Sequence, residues 1–196
     1  MLRPSKIERK FAGYDEKCKE AGVNWTGILT KEIDGTYTTT LRLMDRVDAT
    51  TLNWKPENGT NWMTVGQLLK HISNGCGAGC RGVVTGDWGL PPGVEFEDLP
   101  WEEIMPPAEK MPSVGSVEEA RSLLLEDRAV ALRMIEQTGE SDLAGREIAL
   151  PWAPNEKLPI GWHLLQMVRH LDRHKGQLFY YLKLQGVDVN TVDLWG

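Results

Sequence analysis

Arg169-His170-Leu171-Asp172-Arg173-His174-Lys175-Gly176-Gln177-Leu178 is the stretch on which the fold and the chemistry of this chain turn. It lies within the longest helical pattern of the sequence, His163 to Gln185. There Leu164, Met167, Val168, Leu171, Leu178, Tyr181 and Leu182 recur at helical spacing. His170 and His174 are four residues apart, so they stand one turn apart on one face. Met167, Leu178 and Tyr181 share that face, which directs both imidazoles inward. Two inward imidazoles can grip one ion, because neutral ring nitrogens are good ligands for zinc, nickel and related metals. The same pair also suits ordinary core histidines, and spacing alone leaves both readings open. The zinc-protease motif is excluded: it requires Glu directly after the first His as general base, and Leu171 stands there.

The rest of the composition sets the frame. At 196 residues the chain reads as one domain, 1–196, with enough length to bury a core. Apolar content of 41% and charged content of 26% are those of a soluble globular protein. The net charge of −6 and the lack of any basic block argue against nucleic acid as a partner. No apolar run approaches the ~20 residues of a membrane span. The N-terminus, Met1-Leu2-Arg3-Pro4-Ser5, leads into charged residues and not into an apolar signal core. Three cysteines do not make a disulfide framework, so a reducing, cytoplasmic setting is expected.

Outward from the histidine stretch, three further helical patterns precede it. The first, about 25–47, carries Trp25, Ile28, Leu29, Ile33, Tyr37, Leu41, Met44 and Val47, with Thr26 as the expected cap. Residues 1–22 before it form a charged N-terminal arm. The second is expected over about 64–85. Thr64 and Gln67 form a capping box, and Val65, Leu68, Leu69 and Ile72 form the apolar stripe. Gly75, Gly77, Ala78, Gly79 and Gly82 follow, small enough to admit another backbone or a ligand. Residues 86–115 are an irregular connector anchored by Trp88 and Trp101, with one helical turn expected near Trp101–Met105. Ser116 then caps a third helix, about 116–139, with Ala120, Leu123, Leu124, Val130, Ala131, Met134 and Ile135 inward. Residues 143–158 are turn-rich, with Glu147–Leu150 as a possible extended piece. The fourth helix, about 162–185, ends at Gly186, a natural C-cap.

Four long helical patterns with irregular joins argue for an all-α fold, a four-helix bundle. Such bundles build metal sites from facing helices, and His71 on the second pattern is the natural third ligand.

Thr64-Val65-Gly66-Gln67-Leu68-Leu69-Lys70-His71-Ile72 resembles the second-helix motif of the DinB/YfiT-like superfamily. His170 through Leu178, followed by Tyr181-Leu182 and Gly186, is similar to its fourth-helix motif. The resemblance covers about Trp25 to Gly186. It implies a four-helix bundle, often a homodimer, with His71, His170 and His174 as ligands of a divalent ion, zinc or nickel foremost. Members with known chemistry are transferases or isomerases that use a low-molecular-weight thiol (bacillithiol, mycothiol or glutathione) as cosubstrate with a small-molecule substrate. Many members have no known activity, and a non-catalytic binding or stress-response bundle with a structural metal is the alternative. The glycine-rich Gly75–Gly82 stretch and the 86–115 connector depart from the typical pattern.

Three other groups call for a reading. His163 is seven before His170 and is expected to be an exposed residue at the helix start, with a fourth ligand or proton shuttle as the other options. Gln177 and Asp172 are candidates to support the ligands from behind, although Asp172 points ~200° from His170 and suits solvent better. Cys76 and Cys80, four apart, could serve as extra soft ligands or a redox pair, but on a continuous helix they point away from His71, which favours buried structural thiols.

Overall fold

The apolar stripes read from the sequence each become one side of a bundle, seen here in a computed structural model that describes residues 23–196. The expected N-terminal arm, 1–22, lies outside the described residues. Helix α1 spans Trp25–Met44, α2 Val65–Ile72, α3 Cys76–Thr85, α4 Trp101–Ile104 and α5 Val117–Gly145. Strands β1 (Glu147–Leu150) and β2 (Ala153–Pro159) follow, then α6 (Ile160–Leu184) and the short α7 (Thr191–Trp195). α1, α2 and α3 each pack against both α5 and α6. The all-α bundle is therefore as expected. Leu29, Ile33, Tyr37, Leu68, Leu69, Ile72, Leu124, Leu171, Leu178 and Leu182 fill its centre. Among the described residues, no helix is long and apolar enough to cross a membrane.

The local chemistry explains most element ends. Thr64 and Gln67 form the expected reciprocal box at α2. At α1 the capping oxygen comes from Asn24, which accepts from the Gly27 N–H, and not from Thr26. Ser116 accepts from the Glu119 N–H at α5, but the Glu119 carboxylate returns to the Gly115 N–H, one residue earlier than a capping box requires. Gly186, with φ of 79°, closes α6 in the left-handed region. α1 stops at Met44, three residues short of the expected end. The Trp101–Ile104 turn forms where the 86–115 connector was expected to hold one.

Two differences are larger. The expected 64–85 helix is two helices, broken at 73–75. Ser73 turns its hydroxyl onto the Leu69 and Ala120 carbonyls, and Gly75 stands at the N-cap of α3 with no side chain to offer. The first amides of α3 need acceptors all the same. They find them on α5: Asp127 accepts from the Gly77 N–H at 2.8 Å, the Ala78 N–H at 3.0 Å and the Tyr37 hydroxyl at 2.6 Å. Burial pushes the Asp127 carboxyl above its ordinary value, and these donors oppose that rise. The second difference is an antiparallel hairpin over 147–159, pairing Glu147 with Pro159 and Ile148 with Leu158. Only its first strand was anticipated. α5 also runs beyond the expected Gly139, which sits in the left-handed region as a kink inside it.

The small-residue stretch is a close-packing surface, as expected, and its least yielding contact is at Gly77. A Cβ on Gly77 would run into the backbone carbonyl of Asp127, which cannot yield. A Cβ on Gly79 would meet the Met167 side chain, and one on Gly82 the Trp88 ring. Gly77→Ala should therefore destabilise by about 3 kcal/mol, while Gly79→Ala costs under about 1 because Met167 can rotate. The larger Gly79→Leu should cost about 1–3 kcal/mol. Urea unfolding of the three variants checks the order. Equal costs for the two alanine variants would mean that helix α3 does not approach α5 this closely.

Candidate metal centre

Each histidine reaches the cluster by a separate structural cause. His71 is the seventh residue of α2, whose entry is tied down from two sides. The Val65 and Gly66 N–H groups donate to the Trp54 and Leu52 carbonyls, and the Val114 N–H donates to the Gly66 carbonyl. Gln67 adds a bond from its Nε2 to the Met111 carbonyl, so the long connector is fastened beside the site. His170 and His174 come from α6 at their four-residue spacing. Across the bundle the three side chains converge, each half-buried.

The convergence is close. His71 Nε2 lies 2.9 Å from His170 Nε2 and 3.1 Å from His174 Nε2. Nitrogens bound at about 2.0–2.1 Å to one ion stand about 2.9–3.4 Å apart for bond angles between 90° and 109°. The spacing thus fits a common ligand sphere. The donor set fits as well. Burial, followed by the charges of the neighbouring rings, pushes His71 down to about 4. Burial, followed by His174 and Arg173, pushes His170 down to about 4. Burial lowers His174 too, partly offset by Gln177. All three are neutral near pH 7 and carry the lone pairs a metal requires.

The support behind the cluster is polar on one side and carries a glycine on another. His174 Nδ1 is 3.0 Å from Gln177 Oε1. The Gln177 Nε2 donates to the Tyr181 hydroxyl at 3.1 Å, and that hydroxyl donates to the Met63 carbonyl at 3.0 Å. Trp54 and Trp62 both set their edges against Tyr181. Gly75 stands beside His170, where a side chain would come within 3.9 Å of its Nε2.

The remaining sequence candidates separate cleanly. Gln177 supports His174, as expected. Asp172 does not reach the histidines; its carboxylate pairs with Lys175 at 2.8 Å. Cys76 and Cys80 are buried free thiols outside the cluster, as their angles required. His163 stands at the helix start, as expected, but it is not exposed. α6 begins at Ile160, so His163 lies inside the first turn, is only 3% exposed, and donates from Nε2 to the Ile148 carbonyl at 3.0 Å. It fastens β1 to α6. Asp127 was missed, although the signal was present. It occupies the apolar stripe Val117, Ala120, Leu124, Asp127, Ala131, Met134 at alternating three- and four-residue steps. A carboxylate in such a stripe announces a buried partner.

The depressed histidines have a consequence for stability. Their folded values lie below the ordinary 6.5, so below that pH the unfolded chain binds more protons. Their contribution is complete above about 6.5 and is lost as pH falls toward about 4. Metal-free protein should lose urea resistance across that window, and His71→Phe should flatten the loss. An unchanged slope in His71→Phe would show that the cluster does not titrate this way.

The fold has known counterparts. A DinB-like protein from Bacillus subtilis, known from its crystal structure, superimposes with a TM-score of 0.57 at 19% identity, over 82% of this chain and 94% of the other. No curated protein matches the sequence significantly. The sequence itself matches the DinB superfamily over residues 32–178, a span that includes His71, His170 and His174, all of α2 and most of α6. The chain belongs to the DinB superfamily.

Proposed function

We propose that His71, His170 and His174 hold one divalent ion, zinc or nickel, and that the protein uses it as a thiol-dependent transferase or isomerase. The observation that carries the reading is the approach of the His170 and His174 Nε2 atoms to within 2.9 and 3.1 Å of His71 Nε2, all three within 4.8 Å of one another in the folded bundle. Three ligands leave at least one coordination position free, the arrangement of a catalytic site and not of a closed structural one. When bound, such an ion supplies Lewis acidity, which holds a small-molecule thiol as its thiolate near neutral pH.

The chain's own residues supply the rest. The neutral histidines add no charge, so the ion keeps its full attraction for an anionic cosubstrate. Arg173 adds a positive field that already reaches His170 and His174. Gly75 leaves room beside His170 where another residue would place a side chain. Gln177 orients His174.

A second reading, a non-catalytic binding or stress-response bundle with a structural ion, draws support from a groove of about 790 Å³ along α1 and α7. Its lining includes Lys31, Asp34, Arg42 and Trp195 and none of the three histidines.

Calorimetric titration with zinc and nickel should show one tight site, with a raised Tm in the presence of metal. His71→Ala and His174→Ala should each abolish tight binding, and affinity should fall as pH drops below about 6.5. His163→Ala should lower the Tm yet leave the site intact. Tight binding that survives His71→Ala would remove that residue from the ligand set. The metal-loaded protein should then transfer bacillithiol, mycothiol or glutathione to an electrophilic acceptor. A metal that raises the Tm without activity toward any of the three thiols would favour the structural reading.

A further inference from the structure

The hydrogen-bond chain behind His174 has a direction that one of its members dictates. Its far end is the Met63 carbonyl, which can only accept. The Tyr181 hydroxyl, 3.0 Å away, must therefore give its single proton to that carbonyl. The Tyr181 oxygen then has only lone pairs left for Gln177, so the Gln177 group 3.1 Å away must be the donating amide nitrogen. This fixes which way the amide faces, a choice that otherwise is open. With the nitrogen toward Tyr181, the amide oxygen faces His174 Nδ1 at 3.0 Å. An amide oxygen only accepts, so Nδ1 must carry the ring proton. In a neutral imidazole the other nitrogen is then bare.

We propose that Gln177 is a positioning residue which, through Tyr181 and the Met63 carbonyl, locks His174 as the Nδ1–H tautomer and thereby presents a permanent Nε2 lone pair to the cluster. Free histidine prefers the opposite tautomer, so the preference has to be imposed. The chain is also a mechanical tie. Met63 directly precedes Thr64, the cap of α2, so the bonds that set the His174 tautomer also fasten α6 to the root of the helix carrying His71. Trp54 and Trp62 enclose Tyr181 at ring-centroid distances of 5.4 and 6.2 Å, which keeps the phenol from swinging away. With its Nε2 bare, His174 can only accept at that nitrogen, which stands 3.1 Å from His71 Nε2.

The proposal leans on the metal reading for its purpose but not for its test. Long-range ¹H–¹⁵N spectra of the metal-stripped protein, with ¹⁵N-labelled histidine, read each ring's tautomer directly. His174 should show a protonated Nδ1 and a bare Nε2. Gln177→Leu should return it to a mixed or Nε2–H form, Gln177→Glu should retain the Nδ1–H form because its carboxylate still accepts, and Tyr181→Phe should give a mixture. In zinc titrations Gln177→Leu should weaken binding about 10–100-fold, with Gln177→Glu close to the parent. A wild-type His174 found as the Nε2–H tautomer overturns the proposal, as does a Gln177→Leu variant that folds and keeps the Nδ1–H form. If the tautomers follow expectation while no zinc binds, the relay stands and the metal reading falls.

Discussion

A buried carboxylate holds the helices around the histidine cluster in register. Asp127 is 7% exposed and accepts from α1 through Tyr37 and from the first turn of α3 through Gly77 and Ala78. Burying a carboxylate is costly unless its oxygens are well bonded, so the three donors must all be in place at once. Burial also pushes the Tyr37 hydroxyl far above its ordinary value, which keeps it protonated and donating. The bond set couples three helices that share no sequence neighbourhood. It works only because Gly77 lets the α3 backbone touch the α5 backbone. One side chain at that position would push α3 outward and carry Gly75 away from His170.

The break between α2 and α3 follows from the same bonds. A continuous helix over 64–85 would satisfy its own amides and leave Asp127 with the Tyr37 hydroxyl as its one donor of the three. Breaking at 73–75 frees the first amides of α3 for Asp127, and Ser73 takes up two carbonyls in exchange, those of Leu69 and Ala120. The break also allows two aims that a single axis could not reconcile. α2 directs His71 toward α6, while α3 presents its glycines to α5 and α6. Asp127 is in this sense a remote determinant of the cluster, although it touches none of the three histidines.

What the sequence disclosed and what it withheld divide along physical lines. The pair His170 and His174 was legible because four-residue spacing on an amphipathic helix fixes direction locally. His71 was legible once four helical stripes implied facing helices, and its family motif carried the same assignment. The helix break was not legible, since Gly75 is compatible with a weak helix and the competing acceptor lies fifty residues downstream on another element. His163 was misjudged for a similar reason. Its burial depends on the hairpin over 147–159, whose second strand, Ala153–Pro159, contains two prolines and three charged or amide side chains and has no apolar alternation. Nothing in its own helix announced that the Ile148 carbonyl would come to meet it. Asp127 was the one miss with a local signal, a carboxylate at a stripe position otherwise filled by Val, Ala, Leu and Met.

The cluster is therefore built with unequal walls. On one side the chain from His174 through Gln177 and Tyr181 to Met63 is polar, directed and backed by two tryptophans. On the other, Gly75 stands beside His170 where a side chain would be, and the rings are partly buried. A site with two polar, closed walls would hold its occupants tightly and exchange nothing. One with two open walls would let water keep the imidazoles hydrated, and their values would stay near 6.5 instead of falling to about 4. The asymmetry gives both properties at once: enough desolvation to keep the three imidazoles neutral, and space beside His170 that a side chain at Gly75 would fill.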